Sequence, residues 1–284
     1  MDDRLMETPD AQEARAVPDW DPAQYARYAD HRTRPLRDLL ARVPDPPPRR
    51  GEVPRVADLG CGPGAPTALL AERWPTAHLT GYDSSPAMLA RAAAHAGPTA
   101  GGGTLGFVHA DLADWRPAQP HDVLFSNAAL QWWPGHPEAL PAYVDALVPG
   151  GTLAFQVPGN FDAPSHVLLH ELRNTPRWRD RLGAPARTDA VLQPAAYAAA
   201  LAPLGCEVDA WETTYVQILH GEDAVLEWTK GTALRPVLGR LADDPQARDA
   251  FLAEYAAALR DAYPPTPHGT LFPFRRVFVV AVRR

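Results

Sequence analysis

Residues 56–64 read VADLGCGPG: an apolar run with Asp58 set into it, then Gly60, Gly62 and Gly64 at alternate positions. Glycines packed this densely after a strand mark a turn that needs positive φ, or backbone that must come close to a ligand. Two phosphate-binding readings fail here. A P-loop needs Gly-Lys-Ser/Thr, and none follows. The dinucleotide fingerprint is met at Gly60 and Gly62, but Ala65 stands at its third glycine. Asp58 would also sit beside the pyrophosphate, where like charges repel. A carboxylate beside a glycine turn suits a ligand with a positive end.

A strand–helix rhythm surrounds this loop. The patterning predicts strands at 55–59, 77–82, 105–109, 123–126 and 152–157, with helices at 65–73, 85–96 and 137–147 between them. The strands are apolar at nearly every position, as a parallel sheet covered on both faces requires. The expected class is α/β, a doubly wound and mostly parallel sheet. Residues 1–18 read as a flexible tail and 19–48 as an N-terminal helical lid, with prolines stopping the helix near 44–54. After 50–158 the rhythm changes. Residues 159–284 read as helical cap insertions around the last strands of the same sheet, at 208–219 and 274–282.

Composition excludes several classes. The chain has 284 residues and 46% hydrophobic residues, enough for a sizeable core. A net charge of -7 argues against a global field for nucleic acid. Two distant cysteines, Cys61 and Cys206, form neither a disulfide framework nor a zinc pattern. No apolar stretch is long enough to span a membrane and no leader pattern opens the chain, so a cytoplasmic protein without membrane or nucleic-acid partners is expected.

The strand ends name the ligand. Asp58 faces a positive group. Asp83 closes the second strand, where a carboxylate accepts two ribose hydroxyls. Asp111 follows the third, placed to accept from an adenine amino group. An ammonium, a ribose and an adenine in that order describe S-adenosylmethionine (SAM). With these residues in place, the sequence resembles the class I, seven-stranded SAM-dependent methyltransferases. That resemblance implies a last strand antiparallel to the rest, SAM as cofactor with S-adenosylhomocysteine as product, and no metal. It also implies a cofactor site at Asp58, Gly60, Cys61, Gly62, Gly64, Asp83, Ser84, Asp111, Leu112 and Asn127.

The likeness tightens outside the core. The segments WDPAQYARYADHRTRPLRDLLARVP, SNAALQWWPGHPEAL, VDAWETTYVQILHGEDAVLEWTKGTALRPVL and FPFRRVFVVAVRR are similar to the trans-aconitate methyltransferase family. Tyr28 and Ala65 depart from that pattern, where phenylalanine and asparagine are expected. The resemblance implies a monomethyl ester of a small polycarboxylic acid; apart from it, a monomer is the default expectation. Such an acid requires fixed cations, and the planar fork of arginine suits carboxylates. Candidate substrate contacts are Tyr25, Arg32, Trp132, Tyr215, Lys230, Arg235 and Arg275. Arg34, Arg276 and Trp228 lie in the same segments. Arg275 and Arg276 point to opposite faces of their strand, so at most one enters the site. A carboxylate is already ionised at neutral pH and needs no catalytic base. Arg32, Gln131 and Trp132 are then positioning candidates. A base-dependent O-methyltransferase of another metabolite would instead need His136, His166 or a carboxylate. A SAM-binding protein without transfer is the remaining alternative.

Overall fold

The computed structural model describes residues 29–183 and 191–284, with side chains from residue 33 onward. The expected tail at 1–18 and residues 19–28 of the expected lid, Tyr25 and Tyr28 among them, lie outside the described residues. Arg32 is described in backbone only, within helix α1 (Ala29–Leu40).

The strands in chain order are β1 (Arg55–Leu59), β2 (His78–Asp83), β3 (Gly97–Pro98), β4 (Thr104–His109), β5 (His121–Asn127), β6 (Leu147–Pro158), β7 (Cys206–Leu219), β8 (Pro265–Thr266) and β9 (Gly269–Arg283). They form one sheet in the order β3-β4-β2-β1-β5-β6-β9-β7, with β8 paired to β9. From β4 to β6 neighbouring strands are parallel, and β9 runs antiparallel between β6 and β7. This is the α/β, mostly parallel class I methyltransferase sheet, with two short strands added to the seven. Strand order reverses between β1 and β5, and ligands of such sheets lie outside the carboxyl ends at that point.

Side-chain alternation divides the sheet into two faces. Val56, Val123, Phe125, Ala154, Phe278 and Val280 pack with Leu36 and Leu39 of α1, and with Leu70 of α2 (Ala65–Arg73). Ala57, Leu124, Leu153, Phe155 and Val279 face the other way. They meet Leu140 and Tyr143 of α4 (His136–Asp145), which follows α3 (Pro86–Ala92).

A third cluster lies beyond the sheet. The β7–β9 pairing runs from Cys206↔Arg283 to Leu219↔Thr270, whereas β6 leaves β9 at Pro158↔Arg276. The free length of this hairpin carries Phe272 and Phe274 into a core of Trp178, Trp228, Phe251 and Tyr255. That core is built by α5 (Pro164–Arg173) and α6 (Pro176–Leu182) from one insert, and from the other by three helices that follow α7 (Pro194–Leu201). These are α8 (Ala224–Lys230), α9 (Arg235–Arg240) and α10 (Pro245–Ala262).

Three local expectations change. The helix at 85–96 ends at Ala92 and tightens into a 3-10 turn at Ala93–His95. The strand expected at 152–157 begins earlier, at Leu147, with an irregularity inside β6 where pairing jumps from His121↔Leu147 to Val123↔Thr152 and Gly150 takes φ 78°. Finally, α7 does not join the cap cluster. Tyr197 and Leu201 pack under Phe155 on the main sheet, because burying them there completes the core face.

Candidate active site

The glycine loop is tied to β2 at both ends. Gly60 N and Cys61 N donate to Tyr82 O at 2.8 and 3.0 Å. Asp83 spans the gap, its Oδ2 accepting from Gly62 N at 2.9 Å and its Oδ1 from Ser85 N at 2.8 Å. Gly60 has φ 78°, and a Cβ there would lie 2.2 Å from Ala129 Cβ, so only glycine fits. Gly62 also has positive φ, 56°, but a Cβ there would meet nothing within 4 Å. That open side is room for a ligand against bare backbone.

Asp58 is 1% exposed. Its Oδ2 accepts from Thr67 Oγ1 of α2 at 2.7 Å, while Oδ1 has no hydrogen-bond partner among the described residues. Burial, with Asp83 adding a like charge, pushes its carboxyl up to about 7 against the pull of the Thr67 bond. A buried carboxylate with one orphaned oxygen is completed by a cation, and the ammonium of SAM fits that need. Asp83 and the open Gly62 fit the ribose and the close backbone approach. Ser84 is fixed through its carbonyl, 3.0 Å from His109 Nε2. Asp111 is exposed and its Oδ1 accepts from Ala113 N at 2.9 Å, and Leu112 Cδ1 reaches within 3.9 Å of the Cβ position of Gly60. Cys61 is buried, and burial beside Asp58 and Asp83 drives its thiol pKa up, which keeps the sulfur protonated.

The loop after β5 is held in strain. Ala128 takes φ 55°, an uncommon conformation for a residue with a Cβ. Its N donates to Gln156 O at 2.9 Å, and its O accepts from Gln131 Nε2 at 2.6 Å. Gln131 Oε1 is buried without a partner among the described residues. Trp132 stays 40% exposed at this end of the sheet.

Asp58, Asn127, Gln156 and Arg276 alternate in step with Val56, Phe125, Ala154 and Phe278, and so share the α1 face. Tyr215 lies on the same face. Its hydroxyl donates to Asp38 Oδ2 at 2.7 Å, and the Arg34 guanidinium lies 5.1 Å from its ring centroid.

The expectation for Arg275 is corrected. It points to the opposite face, where its guanidinium engages Glu212, Gln193 and the Gly159 carbonyl. The buried Arg276 takes the site face instead, because β9 is registered with Pro158 opposite it. Lys230 pairs with Glu227 in α8, Arg235 opens α9, and Trp228 packs between Phe272 and Phe274 in the cap core. All three lie on helices or contacts of the cap. Both candidate histidines sit in packed contacts. His136 is fully buried on the α4 face, with Nε2 2.7 Å from Tyr197 Oη, and burial lowers its pKa. His166 stacks edge-on with Phe161, and burial lowers its pKa to about 4. Gln156 and Thr67 were not anticipated. Gln156 carried a signal, as a lone amide in the apolar run TLAFQVP, and Thr67 carried none.

No helix among the described residues is long and apolar enough to cross a membrane. Residues 56–151 match the model of a methyltransferase domain family. Among solved structures, the complex of the Haloferax volcanii Trm112 methyltransferase activator with a candidate methyltransferase aligns over 94% of this chain and 97% of its own, at TM-score 0.52 and 20% identity, a likeness of fold. Trans-aconitate 2-methyltransferase of Streptomyces avermitilis is 62% identical across 94% of this chain and 97% of its own length. The Rhodococcus jostii protein of that name is 51% identical across 92% and 98%. The chain belongs to the trans-aconitate 2-methyltransferase family.

Proposed function

We propose that this protein transfers the methyl group of SAM to a carboxylate oxygen of trans-aconitate, giving a monomethyl ester. The observation that carries this reading is the extent of the likeness. Identity of 62% spans 94% of the chain, so it includes the β7–β9 hairpin and helical cap as well as the glycine loop common to many methyltransferases.

Asp58 would hold the ammonium, Asp83 the ribose, Asp111 and Leu112 the adenine. When bound there, SAM supplies an electrophilic methyl on a sulfonium. The chain's own work is positioning. An acceptor carboxylate arrives ionised, and the histidines lie in structural contacts, so no residue need take a proton. The buried Arg276, and the Arg34 guanidinium 5.1 Å from the Tyr215 ring centroid, put positive charge on the face that also carries Asp58. The Arg34 fork would hold a carboxylate that does not react and leave another free to attack, while the buried Arg276 stands behind the site. Helix α1 and the cap helices would close over the acid and exclude water, and positioning of this kind lowers a barrier by roughly 7–11 kcal/mol in favourable cases. We place the enzyme in the cytoplasm, working as a monomer on a small polycarboxylate.

Incubation with methyl-labelled SAM tests the reading. Label should pass to trans-aconitate and be released by mild alkali, as an ester requires. Label that stays in SAM, or enters an alkali-stable product, overturns it.

A further inference from the structure

Three polar side chains lie in a row on the site face, one each from β9, β6 and β5. Arg276 Nη1 donates to Gln156 Oε1 at 3.0 Å, and Gln156 Nε2 donates to Asn127 Oδ1 at 2.6 Å. Gln156 is 1% exposed and Arg276 4%. A guanidinium only donates. Gln156 must therefore turn its oxygen to Arg276 and its amino group to Asn127. Asn127 must answer with its oxygen, which turns its Nδ2, with two hydrogens, away from Gln156. Rotating either amide would set donor against donor in a buried place. The backbone is fixed as well, since Gln156 O holds the N–H of Ala128 in its left-handed conformation. A protein-wide charge of -7 gives no help in attracting an acid, so local donors carry more of that task.

We propose that Arg276 is a positioning residue which, through Gln156, locks Asn127 as a hydrogen-bond donor to a carboxylate oxygen of the acceptor acid. This rests on the reading above that the acceptor is a carboxylate, and it moves Asn127 from the cofactor set, where the resemblance places it, to the acceptor. The relay gives specificity as well as binding. A carboxylate accepts from the fixed Nδ2, whereas a reversed amide would aim its oxygen at the acid and repel it.

Gln156→Glu tests this without removing Arg276. The new carboxylate stays paired with the guanidinium but has no hydrogen to give Asn127. Asn127 then turns over to donate, and presents Oδ1 to the acid. KM for trans-aconitate should rise about 10- to 100-fold, the loss expected of one hydrogen bond to a charged group, with kcat and the Kd for SAM within about threefold of the wild type. Arg276→Met should raise KM similarly, and Arg276→Lys, which keeps a donor-only head, should restore most of it. A cooperative melting transition like the wild type's reports that each variant is folded. If Gln156→Glu fails to fold, the Arg276→Met and Arg276→Lys pair should show the same split. An unchanged KM in the variant that folds, or a loss that falls on SAM binding, overturns the relay. Wild-type turnover of trans-aconitate separates the two claims. With it, an unchanged variant sinks the relay alone. A wild type that methylates no acid sinks the parent reading, and the relay with it.

Discussion

Thr67 Oγ1 donates to Asp58 Oδ2 at 2.7 Å and leaves the other oxygen of this buried carboxylate without a partner among the described residues. With the carboxyl pushed up to about 7, the ligand-free protein holds a proton there through much of the acidic range. The native state then binds that proton more tightly than the unfolded chain. Its contribution to stability is present below the unfolded value of 3.8 and is lost as pH rises through about 7, on the order of a few kcal/mol. A bound ammonium needs the ionised form. SAM binding at pH 6 should therefore release about one proton, and affinity should weaken about tenfold per unit as pH falls below 7. Calorimetry in buffers of different ionisation heat measures both. Asp58→Asn should abolish the proton release and weaken SAM binding, yet melt no lower than the wild type at pH 8.

Gly60 and Gly62 should separate in stability. Alanine at either meets the left-handed penalty of about 1–2 kcal/mol. At Gly60 the Cβ would also collide with Ala129 at 2.2 Å, whereas at Gly62 it enters open space. Gly60→Ala should lower the melting temperature clearly more than Gly62→Ala, and both should weaken SAM binding. Equal melting temperatures would contradict the loop geometry.

Replacing the histidines tests the base-free account. His166→Gln should leave kcat/KM within about threefold, and the pH profile of kcat should be flat from 7 to 9, because an ionised carboxylate needs no base. His136→Phe should cost about 1 kcal/mol of stability through the Tyr197 bond, with turnover retained. A bell-shaped profile that vanished in either variant would point to proton abstraction.

How much of this was legible in the sequence depends on what each feature needs. The glycine loop and the acids closing β1 and β2 could be read directly, since turn chemistry and strand ends are local. Opposite facing of Arg275 and Arg276 follows from strand parity. Which of them meets the site does not, because that is set by how β9 is registered between β6 and β7. Gln156 stood out as an amide in an apolar strand, but its partners come from two other strands. Helix α7, PAAYAAAL, is apolar almost all round, so its pattern gave no face, and only packing could place Tyr197 under Phe155.

Arg275→Ala should follow from that geometry. Its partly exposed contact with Glu212, on the far face, is worth at most about 1 kcal/mol after solvent screening. KM for the acid should change less than about threefold, the reverse of the effect of Arg276→Met. A large rise in KM would return Arg275 to the site.

Tyr215→Phe removes the hydroxyl that ties Asp38 of α1 to β7. Limited proteolysis should then cleave near α1 faster, and saturation with SAM and acid should slow that cleavage less than in the wild type. Cleavage rates equal to the wild type's would show that this bond does not anchor the helix.

The most direct test of the central claim is a comparison of kcat/KM for trans-aconitate, cis-aconitate, citrate and isocitrate, with the methylated product followed by mass spectrometry. The account predicts one added methyl per acid and a clear preference for trans-aconitate. SAM binding with no methylation of any of the four would contradict it, and would assign the cap and the Arg276 face to a different acceptor.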